Sequence, residues 1–283
     1  MHPDTQGSGG ETRNLDQLRE HYEVEKELAD RLRHASREER LMLYGAVYDE
    51  LFKRVPNHPQ RTRQADPAAT AAAVAGQVAM LEPFLEPEAT FLEVGAGDCA
   101  VSAAVAERVK KVYAVDVSEE ITRGLTLPDS VELRLSDGTS IPVPPNSVDV
   151  SYSNQLMEHL HPDDAFEQVR NLYDSLKPGG VYLCVTPNRV TGPHDISMFF
   201  DAEATGFHLK EYTIGELRRL FAKVGFSSVT VLVGGRGRYR RVPPFPAEIV
   251  ERLLAILPTR AKRALVHRFH ANLVLGIRVV AAK

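Results

Sequence analysis

The chain has 283 residues, 43% of them hydrophobic and 25% charged, which is length enough to bury a sizeable core and the balance of an ordinary water-soluble domain. A net charge of -4 argues against nucleic acid as an obligatory partner. No apolar stretch approaches the roughly 18 residues of a membrane span or resembles a signal peptide, and Cys99 and Cys184 are too few and too far apart for a disulfide framework or a zinc site.

The expectation is a cytoplasmic protein of one main domain with extensions. Residues 1–14 are polar and Gly-containing and read as a disordered tail. Leu15, Leu18, Tyr22, Leu28 and Leu32 recur at helical spacing, and Ser36 with Glu39 forms a capping box for a second helix whose apolar face is Leu41, Tyr44, Tyr48 and Leu51. This N-terminal helical leader, 15–66, either caps a ligand cleft or packs outside the domain. Two prolines, Pro56 and Pro59, end it in an extended turn.

From 67 onward the pattern changes to alternating helices and strands. An Ala-rich helix, about Pro67 to Leu85, precedes strands at Thr90–Val94, Lys111–Val115, Val131–Leu135, Val148–Ser153 and Val181–Val185. A helix from about Asp164 to Leu176 stops at Lys177-Pro178-Gly179-Gly180, and Thr213 with Glu216 caps another. Ser227–Val233 and Asn272–Ala281 complete the sheet, with an Arg- and Lys-rich insertion, 235–271, between them. Such alternation predicts an α/β fold with a doubly wound, mostly parallel sheet. The long stretch Thr186–Lys210 reads as an irregular functional loop.

The richest local signal is Phe91-Leu92-Glu93-Val94-Gly95-Ala96-Gly97-Asp98-Cys99-Ala100: a strand, a glycine turn and a helix start, where a nucleotide-like ligand sits in α/β proteins. Gly95, Gly97 and Ala100, with Asp116 some 20 residues on, also satisfy the dinucleotide fingerprint. The turn, however, holds Glu93 and Asp98 and neither Lys nor Arg. Acids at close range repel a pyrophosphate and favour a cationic ligand. S-adenosylmethionine, with a sulfonium, an ammonium and no phosphate, fits.

Taken together, these residues resemble the class I S-adenosylmethionine-dependent methyltransferases over roughly 70–234. Glu93-Val94-Gly95-Ala96-Gly97 is similar to that family's first motif, Asp116 to its acid ending the second strand, and Asp137-Gly138 to its acidic residue after the third. Asn154-Gln155-Leu156-Met157-Glu158-His159-Leu160 resembles the segment after strand four, and Leu176-Lys177-Pro178-Gly179-Gly180 the turn before strand five. His208-Leu209-Lys210-Glu211-Tyr212-Thr213 with Gly225-Phe226 looks like the small-molecule branch related to ubiquinone-pathway O-methyltransferases. Cys99 stands where the family often has a third glycine. The resemblance implies a Rossmann-like seven-stranded sheet with a final antiparallel hairpin, the methyltransferase domain being 67–283 with the basic helical insertion before the last strand.

The resemblance also implies a donor site. Glu93 takes the methionine ammonium, Gly95 and Gly97 give backbone approach, Asp116 with Val117 holds the ribose, Asp137 and Gly138 meet the adenine, and Asn154 and Gln155 lie beside the methionine part. For each, an ordinary structural role such as a salt bridge, a turn or a helix cap is the alternative.

Methyl transfer chiefly requires positioning of the acceptor, and a hydroxyl acceptor also needs a base, for which neutral histidine is suited. His159, just past strand four, and His194, in the long loop, are the candidates; His161 faces solvent and His208 reads as structural. No metal is expected, because His194, Asp195 and His208 fit no ligand spacing. The basic insertion, 236–270, suits either an anionic acceptor, a membrane surface or a plain exposed lid. The reading is therefore an enzyme transferring methyl from S-adenosylmethionine to a hydroxyl of a small molecule or glycan. Methylation at carbon or nitrogen, an NAD(P)-dependent oxidoreductase and a non-catalytic donor-binding subunit are the rivals.

Overall fold

The computed structural model describes residues 13–58, 67–118, 124–235, 237–258, 262 and 276–283. The tail predicted over 1–14 lies almost wholly outside the described residues. The leader is two helices, α1 (Leu15–His34) and α2 (Arg37–Arg54). Ser36 and Glu39 make the reciprocal cap foreseen for α2, and Asn14 and Gln17 make a second one for α1.

The α/β body comprises α3 (Pro67–Leu81), β1 (Thr90–Val94), α4 (Ala100–Val105), β2 (Lys111–Asp116), β3 (Val131–Leu135), β4 (Val148–Asn154), α5 (Pro162–Ser175) and β5 (Leu176–Pro187). It continues through α6 (Ile214–Val224), β6 (Ser228–Gly235), β7 (Arg238–Val242), α7 (Pro244–Ala255) and β8 (Gly276–Ala282). The sheet runs β3-β2-β1-β4-β5-β8-β6-β7. The first five strands are mutually parallel, and β8, β6 and β7 are antiparallel to their neighbours.

Among the described residues the sheet has eight strands in place of the seven expected. The extra one is β7, which comes from the basic segment read as helical: Arg238, Arg240 and Arg241 are interspersed with Tyr239 and Val242, and the chain folds back on β6 as an edge strand, its charges turned to solvent. Helix follows only from Pro244, and the rest of the insertion lies largely outside the described residues. The start of β5 also differs, because Leu176 pairs with Val148 and Val181 with Val150, so residues 177–180 bulge from the ladder instead of forming a separate turn.

Alternation along β1 divides the core. Leu92 and Val94 join the cluster that α1, α2, α5 and α6 cover through Leu28, Leu32, Val47, Leu172 and Phe221. Phe91 joins the opposite cluster under α3 and α4, with Leu81, Val105 and Tyr152. Both faces are buried, as a parallel sheet requires.

The leader is fixed to the body by buried polar contacts. Arg40 of α2 makes a two-pronged contact with Asp164 of α5, 2.6 and 2.7 Å, and the Tyr44 hydroxyl donates to the same carboxylate at 2.7 Å while accepting from the His161 amide at 3.0 Å. From α1, Arg33 donates to the carbonyls of Thr205 and Gly206, and Glu25 accepts from the Phe207 amide at 2.9 Å. The leader and the loop after β5 therefore lie together beside the carboxyl edge of the sheet.

Candidate functional site

Register brings the acids together. Val94 of β1 pairs with Val115 of β2 and Ser153 of β4, and Asp116 pairs with Leu135 of β3, so the chain leaves all four strands at one edge. Glu93, Asp116, Asp137 and Asn154 sit at or next to those exits, the place where open α/β sheets hold ligands.

The glycine loop is pinned across the first two strands. Gly95 and Ala96 donate their amides to the Val115 carbonyl at 2.8 and 3.1 Å, and the Gly97 amide donates to the Asp116 carboxylate at 2.7 Å. The second oxygen of Asp116 accepts from the Ser118 amide at 3.0 Å. Gly95 and Gly97 have φ of 75° and 54°, and Cys99 follows with 57°, so the position where a third glycine is common does adopt the left-handed geometry that glycine tolerates best. Its thiol is fully buried, and burial pushes it up to about 12, so it is inert packing.

Glu93 points to the α4 face, where its carboxylate accepts from the Ser102 hydroxyl at 2.6 Å. Burial, with no cationic partner among the described residues, raises its pKa to about 8, and the Ser102 hydrogen bond only partly offsets this. Asp137 is the opposite case. Burial is outweighed by hydrogen bonds from the amides of Ser140 and Thr139, which hold its carboxyl below the usual range. Gly138, with φ of 99°, lies directly under Tyr44 of the leader, since a Cβ there would come 2.6 Å from the Tyr44 ring. A Cβ on Gly45 would sit 3.1 Å from the Val117 carbonyl, so α2 lies over the exits of both β2 and β3. Asn154 is half-buried, and Gln155, exposed with φ of 55°, donates its amide to Val185 at 2.8 Å.

Past β4, Met157–His159 forms a single 3-10 turn whose neighbour Leu156 lies against Gly95. The His159 ring N–H at Nδ1 donates to the Phe207 carbonyl at 3.1 Å, and burial drives its pKa down to about 3, so it is a neutral imidazole. His194 is placed differently. Its Nδ1 is 3.2 Å from Glu211, its Nε2 is 3.1 Å from Thr191, and its backbone amide donates to Glu211. Thus His194 and His208 both bond Glu211; burial opposes ionisation of that carboxyl, but the two imidazoles outweigh it and hold it at about 2.

The structure therefore gathers the acids and glycines at one edge with His159 nearby, and leaves His194 tied into the loop by both ring nitrogens. Sequence reasoning passed over Glu158, fully buried with a pKa raised by burial to about 7, and set His208 aside as structural. A signal was there: Glu158 and His159 are adjacent within the motif after strand four. Their proximity to His208 is a tertiary fact. Among the described residues no helix is long and apolar enough to cross a membrane.

Comparison with known proteins agrees with this geometry. A family described as "Methyltransferase domain" matches residues 92–184. A Mycolicibacterium smegmatis protein described as "Probable S-adenosylmethionine-dependent methyltransferase" is 32% identical over 136 residues, 48% of this chain and 51% of that protein. The chain thus spans about half the length of the curated relatives it matches. Among solved structures, an S-adenosylmethionine-dependent methyltransferase of Thermotoga maritima described as a possible histamine N-methyltransferase superposes with a TM-score of 0.54 at 16% identity, over 82% of this chain and 97% of that one. A chain from the complex between the Haloferax volcanii Trm112 methyltransferase activator and a methyltransferase gives 0.54 at 17%, over 78% and 96%. At such identities the likeness speaks for the fold. Residues 92–184 thus match a methyltransferase domain, and about half of the chain is similar to proteins described as probable S-adenosylmethionine-dependent methyltransferases.

Proposed function

We propose that this protein transfers the methyl group of S-adenosylmethionine to a hydroxyl of a small molecule or glycan, in the branch related to ubiquinone-pathway O-methyltransferases, and acts in the cytoplasm. The observation that carries the donor is the buried acid Glu93, which has no cationic partner among the described residues, beside a glycine loop clasped by Asp116. A buried carboxyl with no basic partner is stabilised in its charged form only by a cation from outside, and the donor's ammonium supplies one.

In this reading Asp116, with two lone-pair directions already used by backbone amides, offers the remaining ones to the ribose hydroxyls beside Val117. Asp137 and Gly138 border the adenine, and Asn154 and Gln155 flank the methionine chain. The leader helix α2 and the loop after β5 close over the donor and form the acceptor side. The transfer itself is a displacement at a carbon activated by its sulfonium, so placement of the acceptor oxygen in line is the protein's main task. A neutral His159 with Nδ1 committed to Phe207 presents Nε2 as an acceptor of hydrogen bonds or as a ligand, and its low pKa makes it a poor proton store.

The test is calorimetric titration with S-adenosylhomocysteine, NADH and NADPH, followed by radiolabelled methyl transfer to panels of hydroxyl, amine and carbon acceptors. Binding of the first ligand alone, with label on oxygen, is the expected result. Binding of the nicotinamides in its place refutes the donor assignment, and label on nitrogen or carbon refutes the acceptor chemistry.

A further inference from the structure

Past the exit of β5 lies a cavity of about 390 Å³ that the donor reading does not use, walled by the turn at Arg189, the start of α6, and α7. Its volume is in the range of small-molecule sites. Register fixes its place. Val185 of β5 pairs with Asn154 of β4, and Asn188, three residues or about 10 Å further on, donates its side-chain amide to Glu251 of the cavity wall at 2.7 Å. The cavity therefore lies on the carboxyl side of the sheet, one strand beyond β4.

Its charges do not cancel. Four cations line it, Arg189, Arg219, Arg252 and Lys262, against two acids, Glu248 and Glu251. Both acids are buried and already engaged. Glu248 accepts from Arg218, which is not a wall residue, at 2.6 Å, and one oxygen of Glu251 accepts from the Asn188 side chain and from the Ile214 amide at 2.8 Å. Burial raises the pKa of Glu251 against the pull of those hydrogen bonds, which thins its negative charge. Arg189 is paired with Glu216 at 3.1 Å. Arg219, Arg252 and Lys262 make no side-chain hydrogen bond or ion pair among the described residues.

These three differ from scattered surface charge. Arg219 belongs to α6, Arg252 to α7, and Lys262 follows α7, so no helical period of one element places them together. The floor is open at Gly215, where a Cβ would stand 3.5 Å from Arg219 Nη1 and 3.6 Å from Glu248 Cδ. Like charges around one hollow repel one another, and an anion between them removes that cost.

We propose that this cavity binds the phosphate group of a soluble phosphorylated small molecule, with Arg219, Arg252 and Lys262 as its cations. One guanidinium satisfies a carboxylate. A phosphate monoester carries nearly two negative charges at pH 7 and three acceptor oxygens, which arginine forks meet in pairs, so it matches three cations. The inference rests on the reading of this edge as the acceptor side and deepens it: the methyl acceptor is a hydroxyl compound that carries a phosphate, anchored past β5 while its hydroxyl reaches toward the exit of β4.

The experiment titrates the full chain calorimetrically with inorganic phosphate, glucose 6-phosphate, glucose and acetate, and measures its sedimentation with phosphatidic acid vesicles. One inorganic phosphate per chain is expected, with glucose 6-phosphate competing for the same site and no competition from glucose or acetate. Affinity should fall at least tenfold in Arg219→Gln and in Arg252→Gln, each losing hydrogen bonds to a charged group. It should stay unchanged in Arg241→Gln, whose guanidinium lies over the Phe84 ring at 4.4 Å. Both wall arginines are exposed, and melting temperatures show that each variant is folded. No saturable binding of either phosphate, binding insensitive to both substitutions, loss that follows Arg241→Gln, or equal competition by acetate overturns the proposal. Binding to vesicles without binding to either soluble phosphate also overturns it, in favour of a lipid headgroup. A chain that binds S-adenosylhomocysteine but no phosphate loses this inference alone, and one that binds phosphate but not S-adenosylhomocysteine loses the donor assignment.

Discussion

Donor binding should release a proton from Glu93. Its pKa of about 8, raised by burial, leaves it about nine-tenths protonated at pH 7. An ammonium brought to about 4 Å contributes about 4 kcal/mol at an effective dielectric near 20, roughly three pK units, which carries the carboxyl to about 5. S-adenosylhomocysteine binding at pH 7 should therefore expel close to one proton, and affinity should rise almost tenfold per pH unit between about 6 and 8, then level. The assay is calorimetry in buffers of different ionisation enthalpy, where the slope of observed heat against buffer enthalpy counts protons. Glu93→Gln should abolish the release and weaken binding. The same group makes a claim about the empty protein: its folded pKa lies above the ordinary 4.5, so the stability it supports is full below about 4.5 and is lost as pH rises toward 8. Glu93→Gln should remove that slope. A flat calorimetric slope, or release that survives Glu93→Gln, refutes the reasoning.

Three further outcomes follow from the same contacts. Asp116→Ala should weaken S-adenosylhomocysteine binding by roughly 1.5 to 3 kcal/mol, the worth of hydrogen bonds to a charged group, and unchanged affinity in the titration removes its ribose role. Asp164→Ala leaves the Arg40 guanidinium buried without its partner and should cost about 3 to 5 kcal/mol in denaturant unfolding, whereas a loss under 1 kcal/mol means that the pair is solvated. Gly138→Ala puts a methyl into the Tyr44 ring at a positive φ and should lower stability by about 1 to 3 kcal/mol; Tyr44→Ala in the same chain should recover part of that loss, and additivity of the two in thermal melts means that the leader does not press on this turn.

Much of this edge of the sheet was legible in the sequence because it depends on local rules. Apolar runs, glycines at alternate positions and acids at strand exits define β1, β2 and the loop between them, and the capping pairs Ser36/Glu39 and Thr213/Glu216 start their helices where side-chain geometry demands. The even strand count was misread for a physical reason. Arg238–Val242 is a charge-rich run with no apolar face of its own that becomes a strand only because β6 offers an open edge, and pairing with that edge leaves little trace in local hydrophobicity.

Charge states were also out of reach. Nothing in the order of residues distinguishes Glu93, pushed up to about 8, from Glu211, held at about 2; one is buried without a cation and the other lies between two imidazoles drawn from different parts of the loop. The sequence by itself determined a parallel α/β frame with an acid-lined glycine loop, since backbone reach and hydrophobic period act over a few residues. Only the tertiary structure decided that Tyr44 covers Gly138, that His194 is occupied, and that Glu158, His159 and His208 converge, because contacts between residues well apart in the chain are set by packing of whole elements, which no local pattern encodes.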